Sequence, residues 1–325
     1  MGYRKRIVLG FLKDKGSLIK TSLSTKRHKS AVRRVILRAT THKSSAPPSD
    51  HRLATVIALG EGSTYAASAG VQALMDRLNG TSDAWVALKC LFLIHNILVK
   101  GSVLLKDQLS VYPCFGGRNF LNLSMFRDDS DSETLELSTW VRWYAGILEQ
   151  NLIVSRVLGY HLNSSRAANK NKIWSLSNSD LLTQIDSLVD FAEQVGNPPE
   201  SLYLQRKNLV YEIVRSVSEN YRLVQREISV RVTELRGRMM SMSFSESTAF
   251  LNSLKRFEDC KERISLLLVN RNRNDDLRDL MKETKANLVV MMKDKNMLLI
   301  TMGDEDDESS KLFRLASGRK WVVGF

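Results

Sequence analysis

The sequence predicts an all-α protein, a right-handed superhelix of successive helices that is extended by long antiparallel helices. Apolar residues recur every three to four positions in almost every segment, the period of a helix that packs on one face. Residues that begin and end helices separate these segments, and the alternation typical of strands is nearly absent. Short connections favour antiparallel neighbours, which can stack as a solenoid without a strict sequence repeat.

The amino-terminal half contains three helical patterns. Residues 25–41 place apolar side chains on one face and arginines on the other, and residues 44–50, with two prolines, interrupt the pattern. Ser63 begins a second helix, which ends at Asn79-Gly80. Thr81-Ser82-Asp83 caps a third helix that extends through Val99 and is apolar on almost every side, which predicts a helix buried among others. Gly60-Glu61-Gly62 has no preceding strand and no third glycine, so we expect it to loosen a loop rather than bind a nucleotide.

Capping boxes divide the carboxyl-terminal half. Residues 112–130 are predicted as a loop that ends in a Ser130-x-x-Glu133 box, in which two side chains satisfy free N–H groups at a helix start. A second box, Ser177-x-x-Asp180, begins a helix that ends near Val195. Long helices are expected over about residues 201–237, 245–270 and 274–299.

We divide the chain into four parts. They are a basic leader with amphipathic character (1–22), a superhelical subdomain (23–162), a long-helix part (163–300) and a short flexible tail (301–325). No run of about 18 apolar residues predicts a membrane span. Three cysteines without a pairing pattern fit a reducing compartment, so we expect a cytoplasmic protein.

Positive charge is concentrated at the amino-terminal end. Residues 1–52 hold fourteen Lys and Arg and two acids, a net +12 out of the formal +13 of the whole chain. Such asymmetry predicts a polyanionic partner, either an anionic lipid surface or nucleic acid. The first 60 residues contain two aromatics, Tyr3 and Phe11, which favours lipid over stacked bases. A nucleic-acid-binding protein and a pure protein-protein scaffold remain alternatives.

Five basic residues are the candidate head-group site. Arg34 and Arg38 are four positions apart and therefore share a helix face, and Lys43, His51 and Arg52 follow across the proline loop. Guanidinium groups bind phosphate oxygens through paired N–H donors. We expect these residues to bind a phosphorylated lipid head group.

No catalytic constellation is evident. The five histidines are scattered, and no carboxylate cluster completes a metal site near them. His95 lies in the apolar run, where a hydrogen-bonded core histidine is expected. We therefore predict a protein that is not an enzyme, with no cofactor and no metal.

Four segments resemble the ANTH-domain family, the clathrin assembly proteins, and its plant members in particular. The resemblance extends over about residues 5–300. It is carried by Gly10-Phe11-Leu12-Lys13-Asp14, by Arg38-Ala39-Thr40-Thr41-His42 with Pro47 and His51, by Trp85-Val86 with Lys89, Leu91, His95 and Gly101, and by residues 120–127.

The resemblance implies an ENTH/VHS-like superhelix that binds phosphatidylinositol bisphosphate and links membranes to clathrin coats or clathrin adaptors. Its location would be the membrane surface at coated pits and vesicles, including Golgi-derived ones. The family's lipid site matches Arg38 and His51, with Arg34 one turn earlier. Pro48-Ser49-Asp50 stands where the family has lysines, and Asp50 would repel a phosphate.

Two further motifs have ordinary alternatives. Asp180-Leu181-Leu182 is similar to a clathrin- or adaptor-binding motif, although it opens a predicted helix in which Asp is a usual first-turn residue. The family's later helices can hold a vesicle SNARE helix, and residues 200–265 offer apolar positions for one. Core packing explains those positions equally well; they are Leu209, Ile213, Val217 and Tyr221.

Overall fold

A computed structural model describes residues 10, 12–18, 27–42, 45–110, 120–163, 173–267 and 276–294. Over these ranges the ordered elements are helical and no residue is in a strand, which confirms the predicted all-α class. Residues 12–18 and 276–294 are also helical. The principal helices are α1 (Arg27–Ala39), α2 (Asp50–Ile57), α3 (Leu59–Gly62), α4 (Thr64–Asn79), α5 (Ala84–Lys100), α6 (Val103–Ser110), α7 (Ser132–Leu158), α8 (Asn178–Val195), α9 (Asn208–Gly237) and α10 (Phe244–Leu267).

The helices pack in succession around α5. Helix α1 packs on α2 and α4, α5 contacts α2, α4, α7 and α9, and α8 joins α7 to α9 and α10. Every residue of α5 from Ala84 to Leu98 is buried, as its apolar pattern predicts. The fold is therefore a stack of helices in which α5 is buried among its neighbours and α8 connects the two halves.

Helix α5 begins at a site that combines a local and a distant cap. The Asp83 side chain accepts a hydrogen bond from the Val86 N–H over 3.0 Å, as expected from the sequence. The Ala84 N–H donates to Oδ2 of Asp128 over 2.8 Å, from 44 residues away. Because Asp128 is buried, this cap also fixes the chain that leads into α7.

The capping box predicted at Ser130 is wrong by one residue. Asp131 is the N-cap of α7, and it exchanges hydrogen bonds with Thr134. Ser130 instead donates through its hydroxyl to Oδ1 of Asp128 over 2.6 Å. The box at Ser177 and Asp180 is confirmed, with both of its hydrogen bonds present.

Two short helices meet at Gly60, where the sequence predicted a loosened loop. Gly60 is buried in α3, and Ser102 donates through its hydroxyl to the Gly60 carbonyl over 2.9 Å. A Cβ atom at this position would lie 2.3 Å from Oγ of Ser102 and 2.5 Å from Cγ of Leu105. Glycine is therefore required for α3 to approach α6, which corrects the prediction.

The long helices form the second half of the stack. The helix predicted over residues 201–237 is divided, since a 3₁₀ turn at Leu202–Arg206 precedes α9. Helix α9 has 30 residues, which corresponds to about 45 Å. The segment 276–294 packs through four buried apolar side chains and is tied by ion pairs to α9 and α10. The buried residues are Leu277, Met281, Leu288 and Met291.

None of the described helices has both the length and the apolar composition needed to cross a membrane. The division into parts at residues 22, 162 and 300 stays a prediction. Residues 301–325 and most of the leader lie outside the described residues.

Candidate functional site

The carboxyl end of α1 presents two of the predicted arginines. The opposite face of this helix is buried and contains Val32, Ile36 and Ala39. Arg38 lies in the last turn and is exposed, and Arg34 is partly exposed one turn earlier. Cations at this end of a helix are favoured by the partial negative charge of its free carbonyl groups. The helix end therefore holds two guanidinium groups on the solvent side.

The turn that follows α1 is fixed by hydrogen bonds from distant residues. Thr40 caps the helix, since its hydroxyl donates to the Ile36 carbonyl over 2.8 Å. Arg77 of α4 donates to the Thr40 carbonyl over 3.1 Å, and Nζ of Lys89 donates to the Thr41 carbonyl over 2.9 Å. The last two contacts satisfy backbone carbonyl groups of the turn itself. The path of the chain between Arg38 and residue 42 is thus set by α4 and α5.

Asp14 ties the amino-terminal helix to the same turn. The His42 N–H donates to Oδ2 of Asp14 over 2.9 Å, and Nδ1 of the His42 ring lies 2.6 Å from Oδ1. Arg77 lies 3.7 Å from the same carboxylate. A Cβ atom at Gly10 would lie 2.6 Å from Cβ of His42, so the two segments are in close contact. Leu12, Lys13 and Lys15 remain exposed on the outer side of this helix.

Lys89 is the buried cation beneath the turn. Lys89 is 2% exposed, and this burial lowers its pKa to about 8. The nearby carboxylates of Asp83 and Asp14 act in the opposite direction and favour the charged form. Lys89 therefore serves the turn through its hydrogen bond to Thr41 and is not available to a ligand at the surface.

Helix α2 supplies the other side of the site. The loop before it is held by a hydrogen bond from the Leu209 N–H at the start of α9 to the Ser45 carbonyl, 2.9 Å long. Leu53 and Val56 bury one face of α2. Asp50, His51 and Arg52 form its exposed first turn.

The structure thus places four of the five predicted residues at the ends of two helices that pack against each other. Arg34 and Arg38 end α1, and His51 and Arg52 begin α2, which packs against α1. Lys43 lies outside the described residues. Asp50 is exposed beside His51, so the predicted acidic neighbour is present at the surface.

Comparison with known proteins shows the family to which the chain belongs. The ANTH domain model matches residues 31–270. This chain belongs to the ANTH domain family. Three relatives from Arabidopsis thaliana are named as clathrin assembly proteins. One is 41% identical over 79% of this chain and 73% of its own length. A second is 32% identical over 80% of this chain and 79% of its own, and a third is 28% identical over 79% and 90%.

Two residues that fix the turn after α1 in this ANTH domain were not among the predicted ones. Asp14 and Arg77 are not expected to contact a head group. They hold the turn between Arg38 and α2. A signal for Asp14 existed in the sequence, because it is one of two acids among the first 52 residues. Arg77 carried no comparable signal, since its partner Thr40 is 37 residues away.

The other motifs of the ANTH resemblance serve the fold. His95 is buried and hydrogen-bonded to Tyr144 and Asn220, which confirms the expected core histidine. Asp180 caps α8, and Leu181 beside it is fully buried. The α9 positions proposed for a SNARE helix are buried as well. They are Leu209, Ile213, Val217 and Tyr221.

Proposed function

We propose that this ANTH domain is a peripheral membrane adaptor, not an enzyme, which binds phosphoinositide head groups and supports the formation of clathrin-coated vesicles in endocytosis. The observation that carries the proposal is the exposed Arg38 in the last turn of α1, a helix that packs against α2, whose first turn is also exposed. A head group that contacts both helix ends would meet Arg34 and Arg38 from one side and His51 and Arg52 from the other.

Electrostatics favour this site for an anion. Each basic residue near an anionic leaflet contributes on the order of 1 kcal/mol, and several together recruit a protein reversibly. The exposed Lys13 and Lys15 of the amino-terminal helix add to the same charge, since Asp14 ties that helix to the turn after α1. Lys43, the fifth predicted residue, would add one more positive charge. Asp50 opposes it, so we expect weaker binding than a lysine at this position would allow.

The clathrin part of the proposal rests on the relatives, which are named as clathrin assembly proteins. It does not rest on Asp180-Leu181-Leu182, because Asp180 is used as a cap and Leu181 is in the core. Coated pits and coated vesicles, with Golgi-derived vesicles as a second location, are the expected sites of action. A vesicle SNARE helix stays a prediction outside this proposal, since the α9 side chains that suggested it are buried.

Vesicle flotation tests the lipid part. Purified protein is floated with vesicles of a neutral carrier lipid that contain about 5% phosphatidylinositol bisphosphate. In a second set of vesicles, phosphatidylserine supplies the same total charge. We expect selective flotation with the bisphosphate lipid at about 150 mM salt. Equal binding to both kinds of vesicle would indicate a general attraction to anionic lipid rather than recognition of the head group. Tight binding to duplex DNA at that salt, without lipid selectivity, would support a nucleic-acid-binding protein instead.

Coat binding needs a separate test. A pull-down with purified clathrin heavy-chain terminal domain, and with purified adaptor appendages, should retain the full chain. Retention of neither, together with selective flotation, would support the membrane half of the function alone. If lipid and coat proteins both failed to bind, a protein-protein scaffold would be the remaining interpretation.

A further inference from the structure

A cleft of about 430 Å³ is partly lined by α2, and the arginines of α1 do not line it. The start of α2, the carboxyl half of α5 and the amino-terminal half of α9 line it. Arg34, Arg38, His51 and Arg52 are not among its lining residues. The volume is sufficient for one long side chain together with the peptide groups next to it. The cleft is thus a second candidate site in the described part of the chain.

The floor of the cleft is polar and uncharged. Nδ2 of Asn220 lies 2.9 Å from Nε2 of His95, whose Nδ1 lies 2.7 Å from the Tyr144 hydroxyl. Burial lowers the pKa of His95 to about 4, so the ring is neutral at physiological pH. Asn220 is 1% exposed and its carbonyl oxygen has no described partner, which leaves an acceptor for a ligand.

A second buried amide and two apolar side chains complete the inner part. Asn96 is 7% exposed and donates to the Phe92 carbonyl over 2.8 Å, and its own carbonyl oxygen has no described partner. Phe92 and Leu53 also line the cleft. An alkyl chain can pack on these apolar groups while its polar end reaches a carbonyl oxygen or the rim.

The rim is more acidic than basic. Its carboxylates are Asp50, Glu212 and Glu219, and its cations are Lys100 and Arg215. Arg215 is held within α9 between Glu212 at 3.6 Å and Glu219 at 3.7 Å. Those carboxylates therefore share one guanidinium group between them. The balance of the rim favours a cation, and it disfavours the phosphate groups that the α1 arginines attract.

We propose that this cleft is a recognition site for an arginine or lysine side chain of a peptide partner. The alkyl stem packs on Phe92 and Leu53, the cationic group donates hydrogen bonds to the carbonyl oxygens of Asn96 and Asn220 at the floor, and the carboxylates of Glu219 and Asp50 at the rim add a favourable negative charge. The site is assembled from α2, α5 and α9, so it exists only in the folded stack.

Saturation-transfer NMR with N-acetyl-arginine amide is the test, and N-acetyl-citrulline amide is the matched neutral probe. We expect the arginine probe to bind the full chain with an affinity at least about fivefold higher than the citrulline probe, because charge-assisted hydrogen bonds are the stronger ones. Equal affinities would overturn the proposal. Displacement of the arginine probe by inositol 1,4,5-trisphosphate would overturn it as well, since it would show an anion site.

Variants locate the binding. Glu219→Gln and Asp50→Asn should each weaken arginine binding about threefold, and Asp259→Asn on the exposed face of α10 should not change it. Ser216→Leu fills the cleft at a position whose hydroxyl bonds only within α9, to the Glu212 carbonyl, and it should abolish the signal. Thermal melting confirms that each variant is folded. Unchanged binding in folded Glu219→Gln and Ser216→Leu would place the probe elsewhere and contradict the proposal.

Discussion

His42 contacts Asp14 through both its backbone and its side chain. The N–H donates to Oδ2 over 2.9 Å, and Nδ1 lies 2.6 Å from Oδ1, across 28 residues of sequence. The two side chains are 9% and 14% exposed, so water screens the contact only in part. This pair is a polar link between the basic amino-terminal helix and the turn that ends α1.

Asp14→Ala should release the amino-terminal helix without unfolding the domain. A part-buried hydrogen bond to a charged group contributes about 1.5 kcal/mol, so amide exchange over residues 12–18 should accelerate about tenfold. Hydrogen exchange with mass spectrometry measures this directly. Asp76→Ala, which removes an exposed hydrogen bond from Gln72 on α4, is the control. Unchanged exchange in Asp14→Ala would show that contacts other than those of Asp14 hold the helix.

His95→Gln should reduce the acid sensitivity of the fold. Burial lowers the pKa of His95 from 6.5 to about 4, so between these values the unfolded chain binds a proton that the folded chain does not. Stability therefore falls as pH falls through this window. The free energy of unfolding is therefore lower at pH 5 than at pH 7 or above, by about 2 kcal/mol. Urea unfolding at pH 7 and pH 5 should show a smaller loss in the variant, and equal losses would contradict the assignment.

Arg231→Met should destabilise the long-helix half. Arg231 is fully buried and donates to Gln184, to Glu227 and to the Tyr160 hydroxyl. Its removal leaves the Glu227 carboxylate without its counter-ion and the Gln184 carbonyl oxygen without its donor, at a cost of about 3 kcal/mol. Arg215→Met on the same helix removes an exposed guanidinium and should cost less than about 1 kcal/mol. Thermal melting compares them, and similar losses for both would argue against the buried network.

Asp50→Asn should have opposite effects at the two sites. Loss of its charge removes a repulsion beside His51 and should strengthen binding to phosphatidylinositol bisphosphate vesicles about threefold. The same change should weaken the arginine probe at the cleft. Asp259→Asn alters the total charge equally and should shift vesicle binding by less. If both ligands responded in the same direction, Asp50 would act through the structure of α2 rather than through its charge.

Local patterns were sufficient to predict much of the fold. The buried helix α5 and the Ser177 box depend on residues within a few positions of each other, and both were predicted correctly. The Ser130 box was not, because Ser130 donates to Asp128, which the distant start of α5 also requires. Helices α2, α3 and α6 were missed because each has eight residues or fewer, too short for a clear period.

The site was predictable in its charge and less so in its geometry. Clustered arginines identified the end of α1, and their exposure agrees with a surface role. The contacts that fix the turn come from Asp14, Arg77 and Lys89, which are 28, 37 and 48 residues from their partners. Periodicity and spacing contain no information about contacts over such separations.

The most direct test is charge reversal at two arginines of α1. Arg33 and Arg38 are both exposed on this helix, but they differ by about 140° around its axis, and only Arg38 shares a face with Arg34. We predict that Arg38→Glu loses at least about tenfold in affinity for phosphatidylinositol bisphosphate vesicles, and that Arg33→Glu loses no more than about threefold. Both variants should keep the helical circular dichroism of the parent. Equal losses in two folded variants would show that general positive charge, rather than a head-group site at Arg38, brings this protein to membranes.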